Sequence, residues 1–314
     1  MSIVDVALHV LVTLVAPPLL LGVINKTKAA FAGRVGPPLL QAYFDLARLF
    51  RKGSVFSATT TWVFRAGPIV ALVAAAFAAM IVPYGARGAA LSFAGDMILF
   101  AYLFALGRFF TVAAALDTGS AFEGMGGARE ATFSVLAEPA LFLGMMVLVR
   151  LTGSSSLATM LGGGLGGLWA RSGASLVMVV ASLLVVLLVE CSRIPFDDPN
   201  THLELTMIHE VMVLDHSGPL FGAVLYGAAI KLFVLGALVV RLALPIDTGV
   251  AVYDWGIFAA GMLGLAVAIG VTESVMARLR MRQIPSLLVG ACLLSAFGIV
   301  RASALCPARR RISA

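Results

Sequence analysis

Residues 190–219 read ECSRIPFDDPNTHLELTMIHEVMVLDHSGP. Six carboxylates (Glu190, Asp197, Asp198, Glu204, Glu210, Asp215), three histidines and Arg193 fall within this stretch, in a chain that is only 12% charged. It is flanked by the apolar runs 173–191 and 218–243, each long enough to cross a bilayer as a helix. Polar groups this dense between two such runs are costly unless partnered or watered. They point to proton handling or to a docked polar subunit.

Working outward, the 314 residues are 61% hydrophobic with a mean hydropathy of +1.02. Soluble domains are typically about 45–50% apolar. Only helices and closed barrels satisfy their backbone in lipid, and the apolar runs here are long and non-alternating, which fits helices. The expected fold class is therefore an all-α polytopic membrane protein, a single membrane domain over 1–314. Eight spans are predicted, at 4–24, 66–86, 94–116, 133–151, 173–191, 218–243, 253–273 and 285–304. The first has an acidic front end (Asp5) and no A-x-A site, so it reads as a retained helix. No internal repeat is evident, which weighs against a secondary ion transporter, the alternative from another functional class.

The connections are unequal. The odd-numbered ones carry Lys26, Lys28, Arg34, Arg48, Arg51, Lys52, Arg65, Arg129, Arg193, Arg278, Arg280 and Arg282; the even-numbered ones carry only Arg87, Arg150, Arg171 and Arg241. By the positive-inside rule the loops 25–65, 117–132, 192–217 and 274–284 are cytoplasmic and both termini lie outside. Arg309-Arg310-Arg311 in the C-terminal tail argue the other way. Within 36–52, Leu39, Leu40, Tyr43, Phe44, Leu46, Ala47 and Phe50 recur at helical spacing, predicting an amphipathic interfacial helix. The glycine-rich 117–132 segment reads as a shaped loop, and 153–172 as a Gly/Ser connection. A second short helix is expected over 198–216, capped by Asp198 or Thr201.

Asp96, Glu138, Glu190 and Glu273 lie in or beside spans, as do the bases Arg108 and Lys231. Intramembrane charge of this kind marks proton or ion paths. The bland alternative pairs Glu138, Glu190 and Glu273 with Arg129, Arg193 or Arg278 at helix ends. His202, His209 and His216 recur every seven residues; on one helix they would be about 10 Å apart, too far for one metal. Hydrogen bonding or proton relay beside Glu204 and Glu210 suits them better. Arg34 before Gly36-Pro37-Pro38 makes a basic turn for an acidic partner surface or for lipid phosphates. The three cysteines (Cys191, Cys292, Cys306) form no cluster pattern, and no P-loop or GxGxxG is present, so redox cofactors are expected in partner chains.

Four pieces together resemble the complex I subunit 1 superfamily: GRVGPPLLQAYFDLARLFRK at 33–52, FEGMGGAREATFSVLAEP at 122–139, ECSRIPFDDPNTHLEL at 190–205 and ESVMARLRMRQIP at 273–285. The complex I branch typically reads ETNRAPFDLPE, then EYSG. The version here, across 194–219, is more similar to the membrane subunit of group 4 energy-converting nickel–iron hydrogenases, of the formate hydrogenlyase and hydrogenase 4 type.

That resemblance implies eight membrane helices, one slanted, with cytoplasmic loops that cradle a hydrophilic electron-transfer arm. It implies a non-catalytic subunit of an oxidoreductase complex in a bacterial or archaeal inner membrane. Its partners would be hydrogenase large and small subunits, an iron–sulfur protein and antiporter-like membrane subunits. The nickel–iron centre and the iron–sulfur clusters would lie in those partners. Glu138, Glu190, Asp197, Glu204, Glu210 and Glu273, with Lys231, form the expected coupling path for protons or sodium. Arg34, Arg129, Arg193, Arg278 and Arg280 are the expected docking and charge-setting bases. In the alternative, the corresponding membrane subunit of respiratory NADH:quinone oxidoreductase, the same loops wall a quinone chamber.

Overall fold

The computed structural model describes residues 3–85, 88–197 and 207–305. Arg87, Cys306, Arg309-Arg310-Arg311, and the 198–206 segment with Asp198, Thr201, His202 and Glu204 lie outside the described residues. Ten α-helices follow one another: α1 (Ile3–Phe31), α2 (Gln41–Phe50), α3 (Trp62–Ile81), α4 (Asp96–Asp117), α5 (Ala121–Thr152), α6 (Leu157–Met160), α7 (Leu165–Glu190), α8 (Gly218–Ala243), α9 (Ala251–Val275) and α10 (Ile284–Leu305). Eight are long and apolar enough to cross a membrane. The fold is an all-α, multi-pass membrane bundle.

α8 is the axis. In its most apolar stretch 78% of residues are buried against other helices, against 28% for α9 and α10, whose outer faces remain open. Small residues allow the close approach that packing in lipid requires. Ala74, Ala75, Ala78 and Ala79 line the inner face of α3. A Cβ on Gly67 would stand 2.7 Å from the Ala114 Cβ and 2.9 Å from the Phe110 carbonyl oxygen, so α3 and α4 touch almost backbone to backbone. α10 packs against α5 and α7, and α1 against α9 and α8.

Helices alternate direction, so the connections after α1, α4, α7 and α9 share one end, here the polar end. Bonds between them confirm this. Asp117 accepts from the Thr61 backbone and hydroxyl at 2.6 and 2.9 Å, and the Val55 amide donates to Ser217 Oγ at 2.9 Å.

Three expectations change. The 117–132 segment is not a shaped loop: α5 starts at Ala121 and runs 32 residues without a break. Glycine there serves packing, because a Cβ on Gly126 would sit 2.4 Å from Val211 and 2.9 Å from Met212. The 153–172 connection holds the short α6 and the first turns of α7, which kinks at Ser172. Within 198–216 the described part is a turn and a 3-10 helix, Glu210–Val213, rather than one continuous α-helix. His209 and His216 therefore share no helical face. The 36–52 helix forms only from Gln41; it rests on α8 near Gly222, and its Tyr43 hydroxyl donates to the Val15 carbonyl of α1.

Candidate functional site: a charge network under the α7–α8 loop

α7 ends deep inside the bundle. Its last residue, Glu190, meets Arg108, nine residues before the end of α4, and Lys231, thirteen residues into α8. At 1.5 Å per residue those points lie about 14 and 20 Å from the polar ends of their helices. The α7–α8 loop must therefore descend into the bundle. It does so with apolar residues, since Ile194, Phe196, Met207, Ile208, Val211, Met212 and Val213 are all buried.

Arg108 is the hub beneath this plug, with a side chain 8% exposed. Its guanidinium bonds the Glu190 carboxylate, meets Glu138 Oε1 at 2.5 Å and lies 3.4 Å from Glu130 Oε1. Lys231 Nζ holds the other oxygen of Glu190 at 2.6 Å, and sits over the Phe104 ring. Three carboxylates thus share two cations across α4, α5, α7 and α8. Arg108 and Glu190 are buried deeply enough that an unpaired charge costs several kcal/mol, so these two depend on each other.

Two further groups pin the loop. Glu273, fully buried on α9, pairs with Lys28 of α1 at 2.8 Å and with Arg193 at 3.3 Å. Asp197 accepts from the Ile208 and His209 amides, both at 3.0 Å, while Arg278 approaches its other oxygen at 3.0 Å. Arg129 donates to the Met207 carbonyl at 2.8 Å. Near α8, Glu123 accepts from the Asp215 amide at 3.1 Å. His216 stacks on Phe64 with ring centroids 4.0 Å apart and hydrogen-bonds the Phe64 carbonyl oxygen at 3.3 Å. Burial holds the His216 imidazole below its ordinary pKa.

Two adjoining cavities flank the plug. One of about 90 Å³ is lined by Arg108, Glu130, Glu190, His209 and Lys231. The other, of about 360 Å³, runs between α1, α2, α8 and the loop, past Leu21, Asp45, Leu46, Arg193, Asp197 and Glu210. Cys191, Ser192 and His209 border both. Glu138 lies at the outer edge of the network, its side chain 41% exposed. Among the described residues no three His, Cys, Asp or Glu side chains group as a metal site.

The structure thus brings Glu138, Glu190 and Lys231 into one network, with Glu273 and Asp197 in neighbouring clusters and Glu210 on the larger cavity. Arg129, Arg193 and Arg278 are turned onto the chain's own loop. Arg34 and Arg280 are exposed at the polar end. Of the pairings expected at helix ends, the described residues show Arg193 with Glu273. Glu138 and Glu190 instead take Arg108, which comes from within the α4 span rather than from a helix end. Glu123, Glu130 and Asp45 were not among the expected site residues. Glu123, Glu130 and Glu138 are spaced seven and eight apart, one helical face. That signal is hidden once 117–132 is read as a loop.

Formate hydrogenlyase subunit 4 of Escherichia coli K12 is 32% identical over 279 residues, 88% of this chain and 86% of that protein. Hydrogenase-4 component C of the same organism is 32% identical over 234 residues, 74% of this chain and 73% of that protein. A chain of the membrane-bound sulfane sulfur reductase, an archaeal respiratory membrane complex, superposes with a TM-score of 0.80 at 20% identity, over 95% of this chain and all of that one. It shares the fold. The family model described as NADH dehydrogenase matches residues 4–303, and the chain belongs to that family, the complex I subunit 1 superfamily.

Proposed function

We propose that this chain is the membrane-anchor and energy-coupling subunit of a group 4 nickel–iron-hydrogenase-like complex of the formate hydrogenlyase type. The polar end faces the cytoplasm in a bacterial or archaeal inner membrane and both termini lie on the other side. Hydrogenase large and small subunits and an iron–sulfur protein dock on the polar end and carry the nickel–iron centre and the clusters. Antiporter-like subunits lie alongside in the membrane. The observation that carries this reading is the sharing of Arg108 and Lys231 by Glu130, Glu138 and Glu190 beneath a loop that reaches the docking face.

Such a network can couple. Losing a cation favours the protonated form of a buried carboxylate, and regaining it expels the proton. A partner that shifts the α7–α8 loop moves Glu190 against Arg108 and Lys231, and Arg193 against Glu273. The cations are then redistributed, and Glu138 at the outer edge passes the proton on. The identity of the module is tested by purifying the tagged complex in mild detergent and measuring nickel and hydrogen evolution; flavin with quinone-dependent NADH oxidation, and no nickel, would overturn it. The coupling role is tested by Glu138→Gln and Glu210→Gln, which should spare assembly and impair coupled turnover. Unchanged turnover and ion pumping would sink it.

One observation favours a second reading. The 360 Å³ cavity mixes apolar walls (Leu21, Leu46, Val224, Leu225) with Arg193, Asp197 and His209. Such a lining suits a lipophile with a polar head, as in the quinone chamber of complex I. Turnover sensitive to quinone-site inhibitors would support it.

A further inference from the structure

We propose that the far end of the α5–α7–α10 packet binds an anionic phospholipid whose headgroup carries two phosphates, through Arg150, Arg171 and Arg301. The packing places these three arginines at one end of one helix packet. A Cβ on Gly298 of α10 would stand 3.3 Å from Val147 of α5 and 3.6 Å from the Ser175 carbonyl oxygen of α7. Arg301 lies three residues after Gly298, Arg150 three after Val147, and Arg171 four before Ser175. α5 and α10 run towards the far end and α7 starts there. On α5 and α10 the steps therefore go the same way by about one helical turn, and Arg171 stands at that end of α7, just before its kink at Ser172.

All three arginines are exposed. None makes a side-chain hydrogen bond or ion pair among the described residues. The far-end carboxylates are engaged elsewhere. Asp96 accepts from Ser156 Oγ and the Leu157 amide, Asp247 from the Gly249 amide, and Asp254 from Thr248. A single arginine at a helix end snorkels to whatever headgroup is near. Three at one end of one packet concentrate positive charge where the described residues supply them no counter-charge.

Arg301 also tops an exposed apolar stripe, and a single exposed apolar residue lies near each of the other two. Met146 lies one turn before Arg150. Leu293, Phe297 and Val300 lead to Arg301, and Val177 follows Arg171. Guanidinium groups pair phosphate oxygens bidentately, and acyl chains cover the apolar surface beside them. Three positive charges match two phosphates better than one. The site is at the opposite end from the charge network, so it stands or falls independently of the coupling role.

The test uses the full chain in its purified complex, stripped of lipid in mild detergent. Tetraoleoyl cardiolipin, dioleoyl phosphatidylglycerol and dioleoyl phosphatidylethanolamine are titrated in turn, with native mass spectrometry as the readout. Cardiolipin should bind most tightly. Each Arg→Gln change should weaken it about fivefold and the triple variant on the order of 100-fold, from about 1 kcal/mol per basic residue near the headgroups. The Arg→Lys triple should lose less, and Arg282→Gln at the polar end nothing. If the Gln triple does not fold, Arg301→Gln alone carries the test, because that side chain is exposed. Equal binding of phosphatidylethanolamine, phosphatidylglycerol binding as tight as cardiolipin, or an unaffected triple variant would each overturn the proposal.

Discussion

Asp96 at the far end and Glu190 at the polar end are both buried carboxylates at a helix terminus, and they are satisfied in opposite ways. Asp96 takes neutral donors close by: the Phe93 amide at 3.2 Å, the Leu157 amide at 2.7 Å and Ser156 Oγ at 2.9 Å. Glu190 takes two cations from two other helices. The first arrangement has one state. Its donors are fixed by the backbone, and it ties the start of α4 to the start of α6. The second puts three carboxylates within reach of Arg108, with Lys231 on the other side of Glu190. Asp254 shares one part of the far-end pattern, its bonds from the Thr248 amide at 2.8 Å and hydroxyl at 2.7 Å. Glu273, between Lys28 and Arg193, repeats the polar-end one. A carboxylate that only caps belongs to the scaffold, and one that shares cations across helices beside a cavity can exchange charge.

Removing the hub is the largest disturbance this contrast predicts. Arg108→Gln leaves Glu130, Glu138 and Glu190 without their common cation. Breaking a buried pair from one side costs about 3–5 kcal/mol. Membrane levels of the chain should fall steeply, as read by quantitative immunoblotting against a co-expressed control. Normal levels and normal turnover would mean that the network is inert.

The pair Glu190 and Lys231 separates stability from coupling. Lys231→Met alone leaves Glu190 one cation short, and Glu190→Gln alone leaves Lys231 without its carboxylate. The double variant removes both charges, and a buried pair replaced as a unit is often neutral. Its melting temperature in detergent should recover most of what Lys231→Met loses, while coupled turnover stays impaired. Turnover recovering along with stability would reduce the polar end to a scaffold like the far end.

At the far end the same logic predicts a stability change alone. Asp96→Ala removes the acceptor for the first amide of α6 and should cost about 1–2 kcal/mol, the scale of a lost helix cap. Turnover per assembled complex should be unchanged. A loss of turnover in complexes of full stability would break the contrast between the ends.

Most of the fold was legible because lipid imposes a simple rule on sequence: long apolar runs must be helices. The span predicted at 218–243 coincides with α8, and 94–116 differs from α4 by two residues at its start and one at its end. The miss at α5 has a definite cause. Gly124, Gly126 and Gly127 resemble a loop by propensity, yet Gly126 is helical because Val211 and Met212 press against it from the α7–α8 loop. That is a tertiary demand, invisible locally. The site was half legible. Arg108, inside the apolar run FALGRFFTV, stood out as a buried base, but its three partners depend on which helices are neighbours. Glu130 and Glu123 were lost with the helix that presents them.

The smallest predicted effect asks where, within the polar end, the scaffold stops. His216 lies on the same loop as Asp197 and His209, but its ring is stacked on Phe64 and hydrogen-bonded to a backbone carbonyl, a far-end style of satisfaction. Burial lowers its pKa, the Phe64 bond and Asp215 opposing. In the unfolded chain the ring titrates near 6.5. Above that value neither state binds the proton and His216 adds no pH dependence. Below it the unfolded chain is protonated first, so stability falls as pH falls, levelling off once the lower folded pKa is passed. Melting temperature measured in detergent between about pH 7.5 and 5.5 should therefore decline in the native chain and decline less in His216→Phe. Equal slopes would mean that His216 takes up its proton in place, which would move it from the scaffold to the exchanging groups.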